Sequence, residues 1–306
     1  MKPRKLALIV SILALGAIAA VQGFLGGRDA VKTIAYTGSI DSIEITRAGG
    51  ETVSLIKEGD GWAVGAQKYR VAKQTSDAMT KSLAEIRVLG AVSGGQDLER
   101  YGLAEGERVT VVAKSSGKAV RTVIVGKNAT TARQSYALID GGKSVSMVSG
   151  SLKDVFDKGL SDLRDRSIWA VPPEAITRIE VETRGVLGAD KYAIAKAGDP
   201  PVWTLVPGFS VAKANPDAEL AAAWVQGLGE LKADSFAPDG TLESTDRSSP
   251  LGVERLTAAG KVMTLEILSK GDDGKYLCAA TESPYAFYLA QATVSKFFKP
   301  YSGMIK

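Results

Sequence analysis

The chain has 306 residues, of which 45% are hydrophobic and 24% are charged, and its formal net charge is +4. This composition excludes a disordered, collagen-like or polytopic membrane protein, and the length favours two domains over one. The sequence holds no histidine and one cysteine, Cys278, which excludes histidine-based triads, imidazole zinc sites, intrachain disulfides and Cys-rich metal sites.

The N-terminus joins a basic tip to an apolar segment. Three basic residues precede residues 6–25, an uncharged run from Leu6 to Leu25. A helix of this length spans about 30 Å, the thickness of the hydrocarbon core of a bilayer. Because the basic residues come first, we expect a single-pass anchor in the inner (cytoplasmic) membrane, with a cytoplasmic N-terminus and the bulk of the chain periplasmic or extracytoplasmic. A cleaved signal peptide is the alternative, since Ala17 and Ala19 form a small-x-small cleavage site.

The sequence after the apolar segment contains an internal repeat. Several short motifs recur in the same order about 140 residues apart, which favours a duplicated module over chance similarity. The clearest pairs are Ile43-Glu-Ile-Thr with Ile179-Glu-Val-Glu, Trp62 with Trp203, and Val71-Ala-Lys with the same tripeptide at 211–213. We therefore expect three parts: a basic tip and transmembrane anchor at 1–29, a first module at 30–166 and a second module at 167–306.

Hydrophobic alternation predicts several short strands around one helix in each module. Hairpins are expected about Ser115-Ser-Gly-Lys118, Asp140-Gly-Gly-Lys143 and Asp272-Asp-Gly274, because these tetrapeptides and tripeptides are typical of turns. The second helix is expected to start at Asn215 as its cap, and residues 154–169 to form a charged helical stretch. The predicted fold class is α+β: an N-terminal transmembrane helix followed by two similar, mainly antiparallel sheet-plus-helix modules.

Two motifs resemble those of known enzymes. Gly142-Lys143-Ser144 matches the end of a phosphate-binding loop, but its first glycine is replaced by Ala137 and a strand pattern follows. Ser115 and Lys118 have the Ser-x-x-Lys spacing of penicillin-recognising enzymes, in which the serine begins a buried helix rather than a hairpin turn. A structural turn therefore explains both motifs.

Other candidate positions also favour structural roles. Asp272 and Asp273 lack the alternating ligands of a calcium loop, and Gly227-Leu-Gly229 lacks the preceding strand of a dinucleotide site. Trp62 and Trp203 are expected to be core anchors rather than sugar-stacking surfaces, and Cys278 a small buried hydrophobe. Four aspartates are expected to be neutralised by the basic residues interleaved with them: Asp154, Asp157, Asp162 and Asp165.

The sequence therefore predicts no catalytic, cofactor-binding or metal-ligating residue, and no cofactor. We also expect no nucleic-acid partner, because three of the positive charges lie in the N-terminal tip and the rest of the chain is nearly neutral.

Several segments resemble a bacterial family described only as a domain of unknown function and often encoded beside gliding-motility-type ABC-transporter components. The similar segments are GDGWAV at 59–64, DLERYGLAEGERVTVV at 97–112, YALIDGGKSVSMV at 136–148 and LRDRSI at 163–168. The chain departs from the family where a proline is replaced by Gly106 or Glu107. The resemblance implies a membrane-anchored envelope protein associated with a transport system, and it supplies no catalytic residue.

Two functions follow as hypotheses. The favoured one is an exported, membrane-anchored, non-enzymatic accessory or scaffold protein of an ABC-type transport or envelope system. Its partners would be inner-membrane transport or envelope proteins, together with the lipid bilayer through residues 6–25. The alternative is a periplasmic module that binds an envelope glycan or lipid ligand.

Overall fold

The computed structural model describes residues 31–130, 133–210 and 214–306. The chain divides into two compact units, unit 1 (Met1–Asp165) and unit 2 (Arg166–Lys306). The apolar segment 6–25 and the second Val-Ala-Lys tripeptide at 211–213 lie outside the described residues.

Unit 1 is built on a ten-stranded antiparallel sheet with the strand order β1-β6-β10-β9-β8-β7-β2-β3-β4-β5. Its strands are β1 Lys32–Ala35, β2 Ser42–Thr46, β3 Thr52–Glu58, β4 Gly61–Val64, β5 Tyr69–Arg70, β6 Glu85–Ser93, β7 Val109–Ser115, β8 Lys118–Asn128, β9 Gln134–Ile139 and β10 Val145–Ser149. Its helices are α1 Lys73–Ala84, α2 Leu152–Phe156 and α3 Leu160–Leu163, with a 3₁₀ turn at Leu98–Tyr101.

Alternation along the strands sets the two faces of this sheet. Val109 and Val111 of β7 are fully buried, and they share a face of the sheet with the buried Val123 of β8. Helices α1 and α2 cover this inner face; α1 contributes the buried Met79 and Leu83. Along β7 and β8, residues of intermediate exposure alternate with the buried ones. These residues lie on the opposite face of the sheet, which we call the outer face.

The hairpin between β7 and β8 shows how local sequence fixes the register. Ser115 pairs with Lys118, so the turn has two residues, Ser116 and Gly117, with φ angles of +49° and +76°. Two successive positive φ angles define the turn type whose twist matches that of the flanking strands. The predicted turn is confirmed.

Unit 2 contains an eight-stranded antiparallel sheet with the order β14-β13-β12-β17-β18-β19-β20-β16, and a separate pair formed by β11 and β15. Its strands are β11 Ser167–Ala170, β12 Ile176–Thr183, β13 Lys191–Ala197, β14 Val202–Leu205, β15 Glu230–Lys232, β16 Ser235–Phe236, β17 Gly252–Ala258, β18 Lys261–Lys270, β19 Tyr276–Ala280 and β20 Ser283–Leu289. Its helices are α4 Ala218–Gln226, α5 Thr241–Ser244 and α6 Gln291–Phe297, with 3₁₀ turns at Pro173–Ala175, Gly185–Leu187 and Tyr301–Met304.

The two sheets have the same strand order. The run β4-β3-β2-β7-β8-β9-β10-β6 of unit 1 corresponds strand for strand to β14-β13-β12-β17-β18-β19-β20-β16 of unit 2. The registers correspond as well, because Ile45 pairs with Val111 and Val111 with Val123, as Val181 pairs with Glu254 and Glu254 with Leu265. Residues of β2, β7, β8 and β9 can therefore be compared with matched places in β12, β17, β18 and β19.

The predicted fold class, α+β with an N-terminal transmembrane helix, is wrong. The described residues form mostly antiparallel sheet, and even α1, the longest of their helices, has only 12 residues. None of the helices in the described ranges is long and apolar enough to span a membrane. The helical content is lower than predicted because the charged stretch 154–169 does not form one continuous helix.

The stretch 154–169 is one such case. It contains the end of α2, all of α3 and the strand β11 instead of one helix. Gly159 lies between the two helices in an extended conformation with ψ 175°, and Asp157 and Asp165 bind arginines elsewhere in unit 1. Tertiary ion pairs and the extended glycine therefore override the helical pattern.

The start of the second helix also differs from the prediction. Helix α4 begins at Ala218, and its cap is Asp217, whose Oδ1 accepts hydrogen bonds from the backbone N–H groups of Glu219 and Leu220. Asn215 instead accepts a hydrogen bond from the N–H of Leu205 through its Oδ1, at 3.0 Å. Both side chains are suitable caps, but the side chain of Asn215 is hydrogen-bonded to the edge strand β14 and does not cap the helix.

Candidate functional site

The two motifs that resemble those of known enzymes lie at turns between strands. Gly142 and Lys143 belong to the turn between β9 and β10, and Ser115 and Lys118 end the strands of the adjacent hairpin. Asp273 lies in the turn before β19, where its Oδ1 accepts a hydrogen bond from the N–H of Lys275 at 3.0 Å.

The four aspartates of the charged stretch bind separate partners rather than one ion. Asp157 binds Arg47 at 3.0 Å and Asp165 binds Arg70 at 2.8 Å. Asp154 accepts a hydrogen bond from the side-chain amide of Asn128, and Asp162 accepts one from the backbone N–H of Gly159. Arginines distant in the sequence thus bind Asp157 and Asp165, and neutralisation of the stretch by its interleaved lysines and arginines stays a prediction. Among the residues that the structure describes, no group of three or more carboxylate or thiol side chains could hold a metal ion.

The tryptophans and the cysteine are core residues, as predicted. Trp62 in β4 and Trp203 in β14 occupy matched strands, and each is only 8% exposed. Lys196 lies over the ring of Trp203, with its Nζ 5.5 Å from the centroid. Cys278 is fully buried, and this burial raises the pKa of its thiol.

Unit 1 has a pocket of about 410 Å³ on the outer face of its sheet. Its floor is formed by Thr122 and Ile124 of β8 and by Leu138 of β9. Two loops form its rim, one after β6 and the other between β9 and β10. We call this cavity the outer-face pocket. Its volume falls within the range of small-molecule sites.

Glycines and one lysine form most of the rim. The loop after β6 contributes Gly94, Gly95 and Leu98, and the β9–β10 turn contributes Gly141, Gly142 and Lys143. A Cβ atom on Gly95 would collide with the carbonyl oxygen of Lys143, so the two loops are in backbone contact. Local sequence identifies Gly142 and Lys143 only as turn residues, because their convergence with residues 94–98 depends on strand order.

Unit 2 holds a different anomaly, a carboxyl group inside the core. Glu254 lies in β17 with no exposed surface, and in the part of the chain that the structure describes neither of its carboxyl oxygens has a hydrogen-bond partner. The matched place in unit 1 is occupied by the fully buried Val111. A buried charge without a partner is costly, so the neutral acid is the favoured form.

The surroundings of Glu254 explain why the pKa of its carboxyl group is raised. Burial raises its pKa well above the ordinary value, while the positive charge of Lys296 opposes this rise. Burial also raises the pKa of Tyr192, with a smaller contribution from Glu254, and the Tyr192 hydroxyl donates to the carbonyl oxygen of Lys299. The sequence did carry a signal for this site, because Glu254 has the same alternation phase as the buried Leu256 and Ala258.

Comparisons with known proteins give one match. The family model for a domain of unknown function, DUF4340, matches residues 62–255. No curated protein and no solved structure matches the chain.

Proposed function

The chain belongs to the family of the domain of unknown function DUF4340, and from this membership we propose that it is an exported, non-enzymatic accessory or scaffold protein of an ABC-type transport or envelope system. The association with transporter components is what the sequence resemblance implies. The place of work follows from residues 6–25, whose apolar character and basic flank are typical of export to the envelope.

The observation that carries the proposal is the chemical character of the outer-face pocket. Apart from backbone groups, its lining offers Thr122 and Lys143 as polar side chains, and the rest is apolar or glycine. Acid–base catalysis needs titratable groups that face each other across a cavity, whereas binding needs a concave surface with few polar groups. The pocket therefore supports a protein that acts by binding.

Crosslinking in intact cells tests the accessory role. We expect the full chain, crosslinked before lysis and purified under denaturing conditions, to carry permease, ATPase or other envelope subunits of a transport system. Recovery of only cytoplasmic proteins would contradict the proposal.

The location is tested separately with a reporter fused after Lys306. An alkaline phosphatase fusion should be active and a fluorescent protein that folds only in the cytoplasm should be dark, because the bulk of the chain is expected outside the cytoplasm. Extraction of membranes with carbonate, followed by mass spectrometry of the N-terminus, then shows whether the protein stays with the inner membrane or is cleaved after residue 19. Cytoplasmic activity of the reporter would contradict export in either form.

A second candidate function is binding of an envelope lipid. The apolar floor of the outer-face pocket favours it, because Ile124 and Leu138 offer surface for a hydrocarbon chain. A glycan ligand is less well supported, since Trp62 and Trp203, the side chains suited to stacking on sugar rings, are buried in the cores of their units.

A further inference from the structure

We propose that the outer-face pocket binds an amphipathic anion, with its apolar chain on Ile124 and Leu138 and its carboxylate or phosphate beside Lys143. The inference rests on the second candidate function, lipid binding, and names the chemistry of the ligand. Three separate observations carry it: the floor, the rim and the charge.

The floor is apolar at a place where the fold does not require it. The solvated face of an antiparallel sheet normally carries polar residues. At the matched place in unit 2, the charged Glu266 replaces Ile124 and binds Arg247 at 2.7 Å, while the buried Ala279 replaces Leu138. The same strand order thus tolerates a charged surface, and the apolar floor is a property of unit 1 alone.

The rim leaves the pocket open at a glycine that the backbone does not demand. Gly94 does not have a positive φ angle, and a Cβ atom placed on it would meet nothing within 4 Å. Neither conformation nor packing requires glycine at this position. Because Gly94 lines the pocket and its Cβ position is surrounded by open space, we expect a larger side chain there to narrow the entrance.

The charge at the rim is positive and unengaged. Lys143 is exposed, and within the described ranges it forms no ion pair or hydrogen bond through its ammonium group. The carboxylate of the neighbouring Asp140 is engaged, because it lies 3.3 Å from the Nε of Arg121 and accepts a hydrogen bond from the N–H of Thr122. An apolar floor beside one free cation is complementary to an apolar chain that ends in one anionic group.

Photo-crosslinking on membranes tests the proposal with the full chain. The probe is a ten-carbon fatty acid with a diazirine at the end of its chain, and the labelled peptides are mapped by mass spectrometry. We expect labelling to concentrate on β8, β9 and the loop that contains Gly94. Decanoate or decyl phosphate should compete, and decanol should compete less well. Preference for the carboxylate or the phosphate competitor distinguishes a fatty acid from a phosphorylated lipid as the source of the anion.

Variants sharpen the test. Ile124→Glu, which installs the residue of the matched place in unit 2, and Gly94→Leu, which fills the entrance, should each reduce labelling by about tenfold. Lys143→Gln should weaken competition by decanoate by up to about fivefold, with a smaller effect at high salt. The matched control is Lys118→Gln at the neighbouring hairpin, which should leave both readouts unchanged.

Three outcomes would overturn the proposal: labelling spread evenly over the chain, labelling unchanged in both Ile124→Glu and Gly94→Leu, or equal competition by decanol and decanoate. Any of these would leave the crosslinks to transporter subunits unaffected. The two experiments therefore distinguish an error in the proposed ligand from an error in the proposed accessory role.

Discussion

At the scale of single residues, Glu254 makes the strongest physical prediction. Its pKa is raised in the folded protein relative to the ordinary value of 4.5, because the buried carboxylate is desolvated. The unfolded chain therefore releases this proton at a lower pH than the folded chain does. The free energy of unfolding contributed by Glu254 should fall as pH rises above about 4.5, by at most about 1.4 kcal/mol per pH unit, until the pKa of the folded state is reached.

Urea unfolding of Glu254→Val at pH 5 and pH 8 measures this effect. The variant installs the residue of the matched place in unit 1, Val111, and removes the titrating group. We expect the stability of Glu254→Val relative to the parent to increase from pH 5 to pH 8, because the variant lacks the group whose titration destabilises the parent. Glu254→Gln should show the same weaker dependence of stability on pH. Glu266→Gln, on the outer face of the neighbouring strand, is the control and should retain the slope of the parent. Parallel pH profiles for the parent and Glu254→Val would show that Glu254 is ionised in the folded protein.

At the scale of elements, close contact between the 3₁₀ turn Leu98–Tyr101 and β8 positions one wall of the outer-face pocket. The segment crosses β8 at Gly126, where a Cβ atom would collide with the carbonyl oxygen of Tyr101 and lie 3.0 Å from the Cγ of Leu103. On the other side of the contact, a Cβ on Gly102 would lie 2.8 Å from the backbone nitrogen of Lys127, and Gly102 has a φ of +66°. Two glycines thus allow the turn and the strand to approach each other.

Gly126→Ala should therefore push this segment away from the sheet. We expect a loss of about 1–3 kcal/mol in the free energy of unfolding, as for an overpacked core, and weaker labelling of the pocket because Leu98 moves with the turn. Gly106→Ala serves as the control, because Gly106 lacks a positive φ and a Cβ on it would meet nothing within 4 Å. Equal stability of the two variants, measured by urea unfolding, would contradict the close-contact explanation.

At the scale of the whole molecule, each unit has its own large sheet and at least one buried tryptophan. Trp62 belongs to unit 1 and Trp203 to the core of unit 2. We expect Trp62→Ala and Trp203→Ala each to cost about 3–5 kcal/mol, because removal of a large buried side chain leaves a cavity.

Amide hydrogen exchange followed by mass spectrometry can locate these losses. Trp62→Ala should accelerate exchange in the strands of unit 1, and Trp203→Ala in those of unit 2, because protection reports local opening. Comparable acceleration in both units by either variant would contradict the assignment of each tryptophan to a core of its own.

The sequence alone determined features that depend on neighbouring residues. The hairpin about Ser116 and Gly117 follows from turn chemistry, and the burial of Trp62 and Trp203 follows from their phase in strand patterns. Local signals were less reliable for helices. The pattern at 154–169 is compatible with a helix, and the structure breaks it at the extended Gly159, with Asp157 and Asp165 paired to Arg47 and Arg70.

Only the tertiary structure decided where the candidate site lies. The outer-face pocket brings Gly94 and Leu98 to Ile124, Leu138 and Lys143, which belong to separate strands and loops. No spacing in the sequence encodes this convergence, because it depends on β6 pairing with β10 rather than with a sequence neighbour. The alternation of β17 could place Glu254 on the inward face, but whether a described residue is hydrogen-bonded to its carboxyl group depends on what packs there. Periodicity fixes the direction of a side chain, whereas its partners are set by contacts between segments that are distant in the chain.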